Sequence, residues 1–301
     1  MESKKEIYDL MPAYLYPKTI LVKAGTPIEK IRIREEADLK FPLIAKPDIG
    51  LRGLAVKKLD KMTDLIHYTN ASKVDFLIQQ FIPYELEAGI FYYRFPEEKN
   101  GHISGIVLKE FMTVTGDGKS SIMTLLRQNK RFILQLDSLA GIYKDELNRV
   151  LPEGEKRILA HYGNHSRGAK FIDVSWRIDQ QLTQVIDRVC KEIPGFYFGR
   201  MDIRFKSWEE LKTGKHFSII ELNGAGSEPT HIYDPGHSII FAWKEIIRHW
   251  NILYRISRQN RNKQAYMDFR SGINMFRQNS AHVKLLKARG RHKLKECSST
   301  G

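Results

Sequence analysis

Two short segments decide the fold: Gly199-Arg200-Met201-Asp202-Ile203-Arg204 and Ile219-Ile220-Glu221-Leu222-Asn223. Polar and apolar residues alternate in them, which predicts strands with the polar side chains on one face. On neighbouring strands Asp202, Glu221 and Asn223 would form one cluster of oxygen ligands, of the kind that suits Mg²⁺. The alternative is a surface with alternating charge. The adjacent isoleucines and leucine favour buried strands instead, where isolated carboxylates are costly.

A second segment, Ile44-Ala45-Lys46-Pro47-Asp48-Ile49-Gly50-Leu51-Arg52-Gly53, places a lysine after an apolar run and before a glycine-containing turn. A lysine and the backbone N–H groups of such a turn can surround phosphate oxygens. The spacing differs from that of a Walker P-loop or a GxGxxG fingerprint. Taken alone, the segment is more typical of a hairpin turn with a solvated lysine.

A third segment, Leu77-Ile78-Gln79-Gln80-Phe81-Ile82-Pro83-Tyr84-Glu85-Leu86-Glu87, predicts two strands joined by a short linker. Such a linker offers backbone groups to a purine edge, with Phe81 and Ile82 as apolar walls. Glu85 and Glu87 would share a face and could accept hydrogen bonds from ribose hydroxyls. Alone, the segment is also typical of an ordinary strand and bend.

In their order along the chain, 44–53, 77–87 and then 199–223, these segments resemble the ATP-grasp superfamily, most closely its D-alanine–D-alanine ligase and cyanophycin synthetase branches, from about Lys4 to Pro235. The resemblance implies an α+β fold in which two α+β subdomains clamp ATP, followed by a C-terminal helical extension. It implies ATP contacts from Lys4, Lys46, Gly50, Gly53, Gln79, Gln80, Phe81, Ile82, Glu85 and Lys119. It assigns Mg²⁺ or Mn²⁺ to Asp202, Glu221 and Asn223, and phosphoryl transfer to Arg200 and Lys46.

Two further stretches, Thr113 to Ile122 and Asn164 to Ser175, resemble the cyanophycin synthetase branch. Together with the segment after the last predicted strand, they provide the substrate-contact candidates Arg167, Lys170, Ser227 and Glu228. His231, in the same segment, is interpreted as a structural rather than a catalytic histidine.

The activity that the resemblance implies is an ATP- and Mg²⁺-dependent carboxylate–amine ligase. It would act through an acyl phosphate, on amino-acid or peptide-like substrates. Two alternatives stay open: an ATP-grasp kinase that phosphorylates a small molecule, and a non-catalytic nucleotide- or nucleic-acid-binding module. The oligomeric state is left open as well.

The predicted division has four parts. Residues 1–18 are an N-terminal helix, expected to be the end of an upstream domain that the chain lacks. Residues 19–95 and 96–236 are the two ATP-binding subdomains, and 237–301 are a helical extension with a basic tail. The pattern also predicts one helix over Glu2–Leu15, a helix from about Pro27 and one strand over Ile103–Val114.

Composition limits the class of protein. The 301 residues are 42% hydrophobic and 28% charged, close to globular averages. No apolar run approaches the ~20 residues of a membrane span. Cys190 and Cys297 lack the spacing of a zinc site or a disulfide framework. We therefore expect a cytoplasmic protein.

The positive charge is concentrated near the C-terminus. The net charge is +14, and residues 244–296 hold 14 Lys and Arg against three Asp and Glu. Within that region, apolar residues recur at helical spacing at Ile239, Trp243, Ile246, Ile247, Trp250, Leu253 and Tyr254. We expect this stripe to pack against the second subdomain. Contact of the basic tail with nucleic acid or an anionic membrane is the alternative.

Overall fold

The computed structural model describes residues 3–33, 37–50, 53–129, 132–133, 136–159, 169–261 and 266–296. Its first sheet contains four antiparallel strands in the order β1-β4-β2-β3. They are β1 (Thr19–Val22), β2 (Leu43–Pro47), β3 (Lys57–Leu59) and β4 (Phe76–Gln80). Leu43 and Ala45 face a core that Leu65 and Tyr68 of helix α2 (Met62–Ala71) complete. The other face of β2 is left to Ile44 and Lys46.

The second sheet has five antiparallel strands in the order β11-β10-β5-β6-β9. They are β5 (Leu86–Tyr93), β6 (His102–Glu110), β9 (Lys170–Asp173), β10 (Phe198–Phe205) and β11 (Phe217–Asn223). Helices α5 (Gln180–Lys191) and α6 (Trp208–Lys212) cover one face through a large apolar core. Because β5 belongs to this sheet, the change from one sheet to the other falls between Gln80 and Leu86 rather than near residue 95.

A small two-stranded unit interrupts the second sheet. The strand predicted over Ile103–Val114 is wrong as one element, since β6 ends at Glu110 and a separate strand, β7 (Thr113–Thr115), pairs with β8 (Lys156–Ile158). Helices α3 (Ile122–Gln128) and α4 (Leu136–Tyr143) close a separate core over this pair.

The N-terminal segment is shorter in helix than its pattern predicts. Helix α1 covers Lys4–Asp9, and a separate 3-10 turn covers Ala13–Leu15. Pro12 accounts for the break, because proline disfavours helical geometry in the residue before it and donates no backbone hydrogen bond. At the helix predicted from Pro27, the structure has a 3-10 turn at Ile28–Lys30, and Ile33 and Ala37 are helical on either side of residues outside the described ranges.

Two long helices end the chain: α7 (Ile239–Asn260) and α8 (Phe269–Glu296). Ile252 and Ile256 of α7 pack on Phe91 and Phe198 of the second sheet. The expectation that the apolar stripe of α7 makes this contact is wrong for most of its residues, although Leu253 does pack here. Most of the stripe is exposed, because the helix carries a second apolar face that is buried instead. No helix within the described ranges is long and apolar enough to cross a membrane.

Candidate active site

A cleft of about 710 Å³ lies between the two sheets. Most of the residues predicted to bind ATP, metal or substrate line it. They are Lys4, Lys46, Gly50, Gly53, Gln79, Gln80, Phe81, Ile82, Arg200, Asp202, Glu221, Asn223, Ser227 and Glu228. Glu87, which the sequence pattern proposed as a ribose contact together with Glu85, also lines the cleft. The wall further contains residues to which the sequence assigned no role: Lys109, Phe171, Arg204, Thr230 and Tyr233.

Lys46 projects from β2 into the cleft without a carboxylate partner among the described residues. Its Nζ donates to the Tyr8 hydroxyl at 2.8 Å and to the Ile220 carbonyl oxygen at 3.0 Å. Burial lowers the pKa of Lys46 to about 8, and the more distant Glu221 and Glu87 offset only part of that effect. This ammonium group is therefore poised for an anion that the described chain does not supply.

Lys4 is held above the glycine turn by the N-terminus of α1. The Lys5 backbone N–H donates to Asp48 Oδ1 at 2.8 Å, and Lys4 Nζ donates to the Asp48 carbonyl oxygen at 3.3 Å. Gly50 makes room for this arrangement, since a methyl group there would lie 3.0 Å from Lys4 Nζ. Burial lowers the pKa of Lys4 as well.

The opposite wall carries a buried network of charges. Lys109 Nζ lies 3.0 Å from Glu87 Oε1 and 2.9 Å from Asp202 Oδ2. Arg204 Nε lies 3.2 Å from Glu87 Oε2, and Arg200 Nε lies 2.9 Å from Asp202 Oδ1. Every carboxylate in this network therefore has two cationic partners.

The network stays charged although it is buried. Burial alone would raise the pKa of Asp202, but Arg200 and Lys109 outweigh it and hold the pKa below its usual value. Burial likewise disfavours the charged form of Lys109, yet Asp202 and Glu87 raise its pKa overall. Gly89 on β5 allows the Asp202–Arg200 pair to lie against the sheet, because a methyl group there would be 3.0 Å from Asp202 Oδ1.

A β-bulge aims the predicted metal ligands into the cleft. Asp202 pairs with Glu221, but Ile203 pairs with Ile219, so Ile220 has no partner in β10. Ile219 is therefore in the core while Glu221, two residues later, lines the cleft. In a regular strand these two side chains would share a face.

The donor set fits a hard divalent cation. No hydrogen bond or ion pair reaches the Glu221 carboxylate from the described residues, so its oxygens are available to a cation. The buried side-chain nitrogen of Asn223 also has no partner among these residues; as an N–H donor it suits a phosphate oxygen, while the amide oxygen could join the cation. Asp202 differs, since both its oxygens are paired, and a cation there would compete with Arg200 and Lys109. Within the described residues, no three His, Cys, Asp or Glu side chains form a metal-binding group by themselves. An amide ligand such as Asn223 is thus needed to complete a set.

Arg204 holds the linker between the sheets, residues 81–85, through hydrogen bonds to its backbone. Its guanidinium group donates to the Ile82 carbonyl oxygen at 3.3 Å and to the Tyr84 carbonyl oxygen at 3.5 Å. Gln79 Nε2 donates to Thr19 Oγ1 at 2.8 Å. Glu85 is exposed and does not line the cleft, whereas Glu87, on the same predicted face, is buried in it.

The other predicted site residues do not all line the cleft. Ser227 and Glu228 line the end of the cleft, where Glu228 accepts a hydrogen bond from the Tyr233 hydroxyl. Lys119 lies in the exposed turn before α3, and Lys170 pairs with Glu110 at 3.8 Å on β9; neither is among the cleft-lining residues. Arg167 lies outside the described residues.

His231 is buried behind the cleft wall. Its Nε2 lies 3.1 Å from Glu245 Oε2, and Gly105 leaves the space for its ring. Burial lowers the pKa of His231.

Sequence reasoning assigned no role to Lys109 or Arg204, although each left a signal. Arg204 stands two residues after Asp202, so strand alternation alone places it on the same face. Lys109 is a single cation inside the apolar run of β6, which is an unusual position unless a partner is buried with it.

No family model matches the chain, and no curated protein matches its sequence. Solved structures do match. A D-alanine–D-alanine ligase from Bacillus anthracis is 13% identical with a TM-score of 0.51, covering 87% of this chain and 68% of that structure.

Two other solved structures align with a TM-score of 0.42 and 14% identity. A bifunctional glutathione synthetase from Pasteurella multocida covers 85% of this chain, and the VanG D-Ala:D-Ser ligase from Enterococcus faecalis covers 82%. The chain spans only 36% and 61% of those two proteins, respectively. The likeness to the Bacillus anthracis ligase shows the fold, and it confirms the α+β ATP-grasp architecture that the sequence implied.

Proposed function

We propose that this ATP-grasp chain is an ATP- and Mg²⁺-dependent carboxylate–amine ligase that acts through an acyl phosphate. The observation that carries the proposal is the pairing of two unlike walls across one cleft. One wall presents Lys46, whose ammonium group has no carboxylate partner in the described chain. The other presents Glu221 and Asn223, whose side chains have unengaged polar atoms beside the charged pair Arg200–Asp202. A polyphosphate with a bound cation satisfies both walls at once.

In the first step a substrate carboxylate oxygen attacks the γ-phosphorus of ATP. The bond to the bridging oxygen breaks, ADP leaves and a mixed carboxylic–phosphoric anhydride forms. Lys46 and Lys4 hold phosphate oxygens, and Arg200 stabilises the charge on the transferring group, so catalysis is mostly positioning and electrostatics. Mg²⁺, held by Glu221 and Asn223 with Asp202, would neutralise phosphate charge.

In the second step the ammonium group first loses a proton to solvent, and the neutral amine attacks the acyl carbon. The bond from that carbon to the phosphate oxygen breaks, and the departing phosphate takes the second proton from the nitrogen. Ser227 and Glu228, at the end of the cleft, are the residues proposed to meet this second substrate. A carboxylate such as Glu228 suits an amine, because it attracts the ammonium form and can orient it. Amino-acid or peptide-like substrates fit this chemistry.

The test measures Mg²⁺-dependent phosphate release from ATP with pooled amino acids, dipeptides and polyamines, and records product masses. Hydroxylamine added in place of the amine should trap the acyl phosphate as a hydroxamate. Glu221→Gln should lower turnover by roughly a hundredfold or more, since a metal contributes several kcal/mol of charge stabilisation. The exposed Glu97→Gln is the matched control and should leave turnover unchanged.

Two outcomes would replace the proposal. A stable phosphorylated product, with no joined amine and no hydroxamate, would identify a kinase. Tight ATP binding without turnover on any substrate pool would identify a non-catalytic nucleotide-binding module.

A further inference from the structure

Helix α7 has two apolar faces, and only one of them is covered. The inner face carries His249, Ile252 and Ile256, which are buried against the second sheet. The outer face, here called the outer stripe, consists of residues that are 58–69% exposed: Ile239, Ile240, Trp243, Ile247, Trp250 and Tyr254. At 100° per residue these six lie within one sector, opposite the buried face.

A stripe of this size requires an explanation. Single exposed apolar residues are ordinary, but contiguous patches mark interaction sites. Two of the four tryptophans of the chain lie in the outer stripe. Tryptophan and tyrosine are the side chains that favour the boundary between lipid headgroups and acyl chains.

The exposed charged residues of α7, which flank the outer stripe, are all cationic. They are Lys244, Arg248, Arg255 and Arg258. The one acid of the helix, Glu245, is turned inward, where its carboxylate contacts His231 and Arg248. The surface therefore combines an apolar stripe with a purely cationic flank.

We propose that the outer stripe docks this protein on an anionic lipid membrane. The aromatic and isoleucine side chains would enter the headgroup boundary while the flanking cations meet lipid phosphates, as in amphipathic interfacial helices. A second copy of the chain fits less well, because its α7 offers no exposed acid to the cationic flank. RNA would satisfy the cations but not the isoleucines.

Docking through α7 has a consequence for the cleft. The 3-10 turn Thr230–Tyr233 contributes Thr230 and Tyr233 to the cleft wall, and the chain continues from it into α7 at the N-cap Ser238. The substrate end of the cleft therefore lies close to the N-terminus of the docking helix. Membrane binding would hold that end near the lipid headgroups.

The test is flotation of the full chain with two kinds of vesicle, phosphatidylcholine alone and phosphatidylcholine mixed with phosphatidylglycerol. The wild type should float with the mixed vesicles, and added salt should weaken the binding. Trp243→Ser combined with Trp250→Ser should weaken it by about tenfold or more, as should Lys244→Glu combined with Arg258→Glu.

Matched controls lie elsewhere on the surface. Trp176 is 73% exposed outside α7, so Trp176→Ser should leave binding unchanged. The pair Lys99→Glu and Lys215→Glu alters the net charge equally at other exposed sites and should reduce binding much less. All variants change exposed side chains, and a thermal melt confirms that each is folded.

Three results would overturn the proposal. The first is absence of wild-type flotation with anionic vesicles at low salt. The second is unchanged flotation of the tryptophan double variant, which would transfer the binding to the basic C-terminal region. The third is a dimer in light scattering, or a poly(U) complex, that depends on the outer stripe while vesicles stay unbound.

Discussion

Two buried lysines face the same cleft from opposite sheets, and their surroundings differ. Lys46 on β2 contacts only the Tyr8 hydroxyl and a backbone carbonyl, and burial lowers its pKa to about 8. Lys109 on β6 lies between Glu87 and Asp202, and these carboxylates raise its pKa despite equal burial. The same side chain at similar depth is thus electrostatically unsatisfied on one wall and satisfied on the other.

This difference in charged partners is what distinguishes a buried lysine that can bind a ligand from one that stabilises the fold. A buried charge without a partner is unfavourable for folding, so an anion supplied by a ligand is the partner we expect for Lys46. A buried charge with two partners is held by the fold, and its removal would leave the partners exposed to the same penalty. We therefore propose that Lys46 is a ligand-binding residue and that Lys109 is a positioning residue that fixes Asp202.

The largest expected effect is on stability, in Lys109→Met. This change leaves Glu87 with Arg204 alone and Asp202 with Arg200 alone, in a site where each side chain is about 4% exposed. Lys109 makes two hydrogen bonds to buried carboxylates, and bonds to charged groups contribute about 1.5–3 kcal/mol each. The free energy of unfolding in urea should therefore fall by about 3–5 kcal/mol. A loss below about 1 kcal/mol, the range of an exposed pair, would contradict the comparison.

Lys46→Met, which introduces a side chain of similar shape, should have the opposite effect: unchanged stability and weaker ATP binding. The Tyr8 hydroxyl still donates to the Ile220 carbonyl oxygen, so no polar group is left unsatisfied and stability should not fall. ATP affinity should fall by about 10–100-fold, since hydrogen bonds to charged groups contribute roughly 1.5–3 kcal/mol. Titration calorimetry with ATP and Mg²⁺ measures this. Lower stability with unchanged affinity would reverse the assignment of the two lysines.

Sequence reasoning found one wall of this cleft better than the other. The lysine, the glycine turn and the linker lie in contiguous segments. Each segment alone was typical of a turn or bend, and Lys46, Gly50 and Phe81 were proposed as ATP contacts through the resemblance carried by the order of the segments. Glu87 and Lys109 meet only because β5 pairs with β6. A contact between strands cannot be read from either strand alone. The bulge at Ile220 is equally hard to predict. Both Ile219 and Ile220 are apolar, so the sequence does not show which of them remains unpaired with β10.

The outer stripe shows a different limit. Helical periodicity identified five of its six residues as one face of a helix, grouped with Ile246 and Leu253 and without Ile240, and predicted that this face is packed. Periodicity reports that a face is apolar and does not report what covers it. On α7 the buried face is the one that carries Ile252 and Ile256, which pack against aromatic residues of the second sheet.

A third prediction uses the pH dependence of ATP binding to distinguish the lysines. Only the protonated form of Lys46 attracts phosphate, so affinity should be full below pH 8 and decrease above it. The Kd should rise by up to about tenfold per pH unit above that pKa. In Lys46→Arg the slope should shrink to the smaller contribution of Lys4, because arginine stays charged. An equal slope in both proteins would assign the titration to another group.

The smallest effect is expected for Gly50→Ala. Comparing its stability with that of Gly89→Ala, on the other wall of the cleft, tests whether the two walls differ in rigidity. A methyl group at either glycine would meet a charged atom at 3.0 Å. At Gly50 that atom is the end of the flexible Lys4 side chain, so Gly50→Ala should change stability by no more than about 0.5 kcal/mol and ATP affinity by about twofold. At Gly89 it is Asp202, fixed by its ion pairs, and overpacking there costs about 1–3 kcal/mol. Urea unfolding of the two variants compares the walls directly. Equal losses would show that Lys4 is held as rigidly as Asp202, and the four-stranded wall would then be preorganised rather than adaptable.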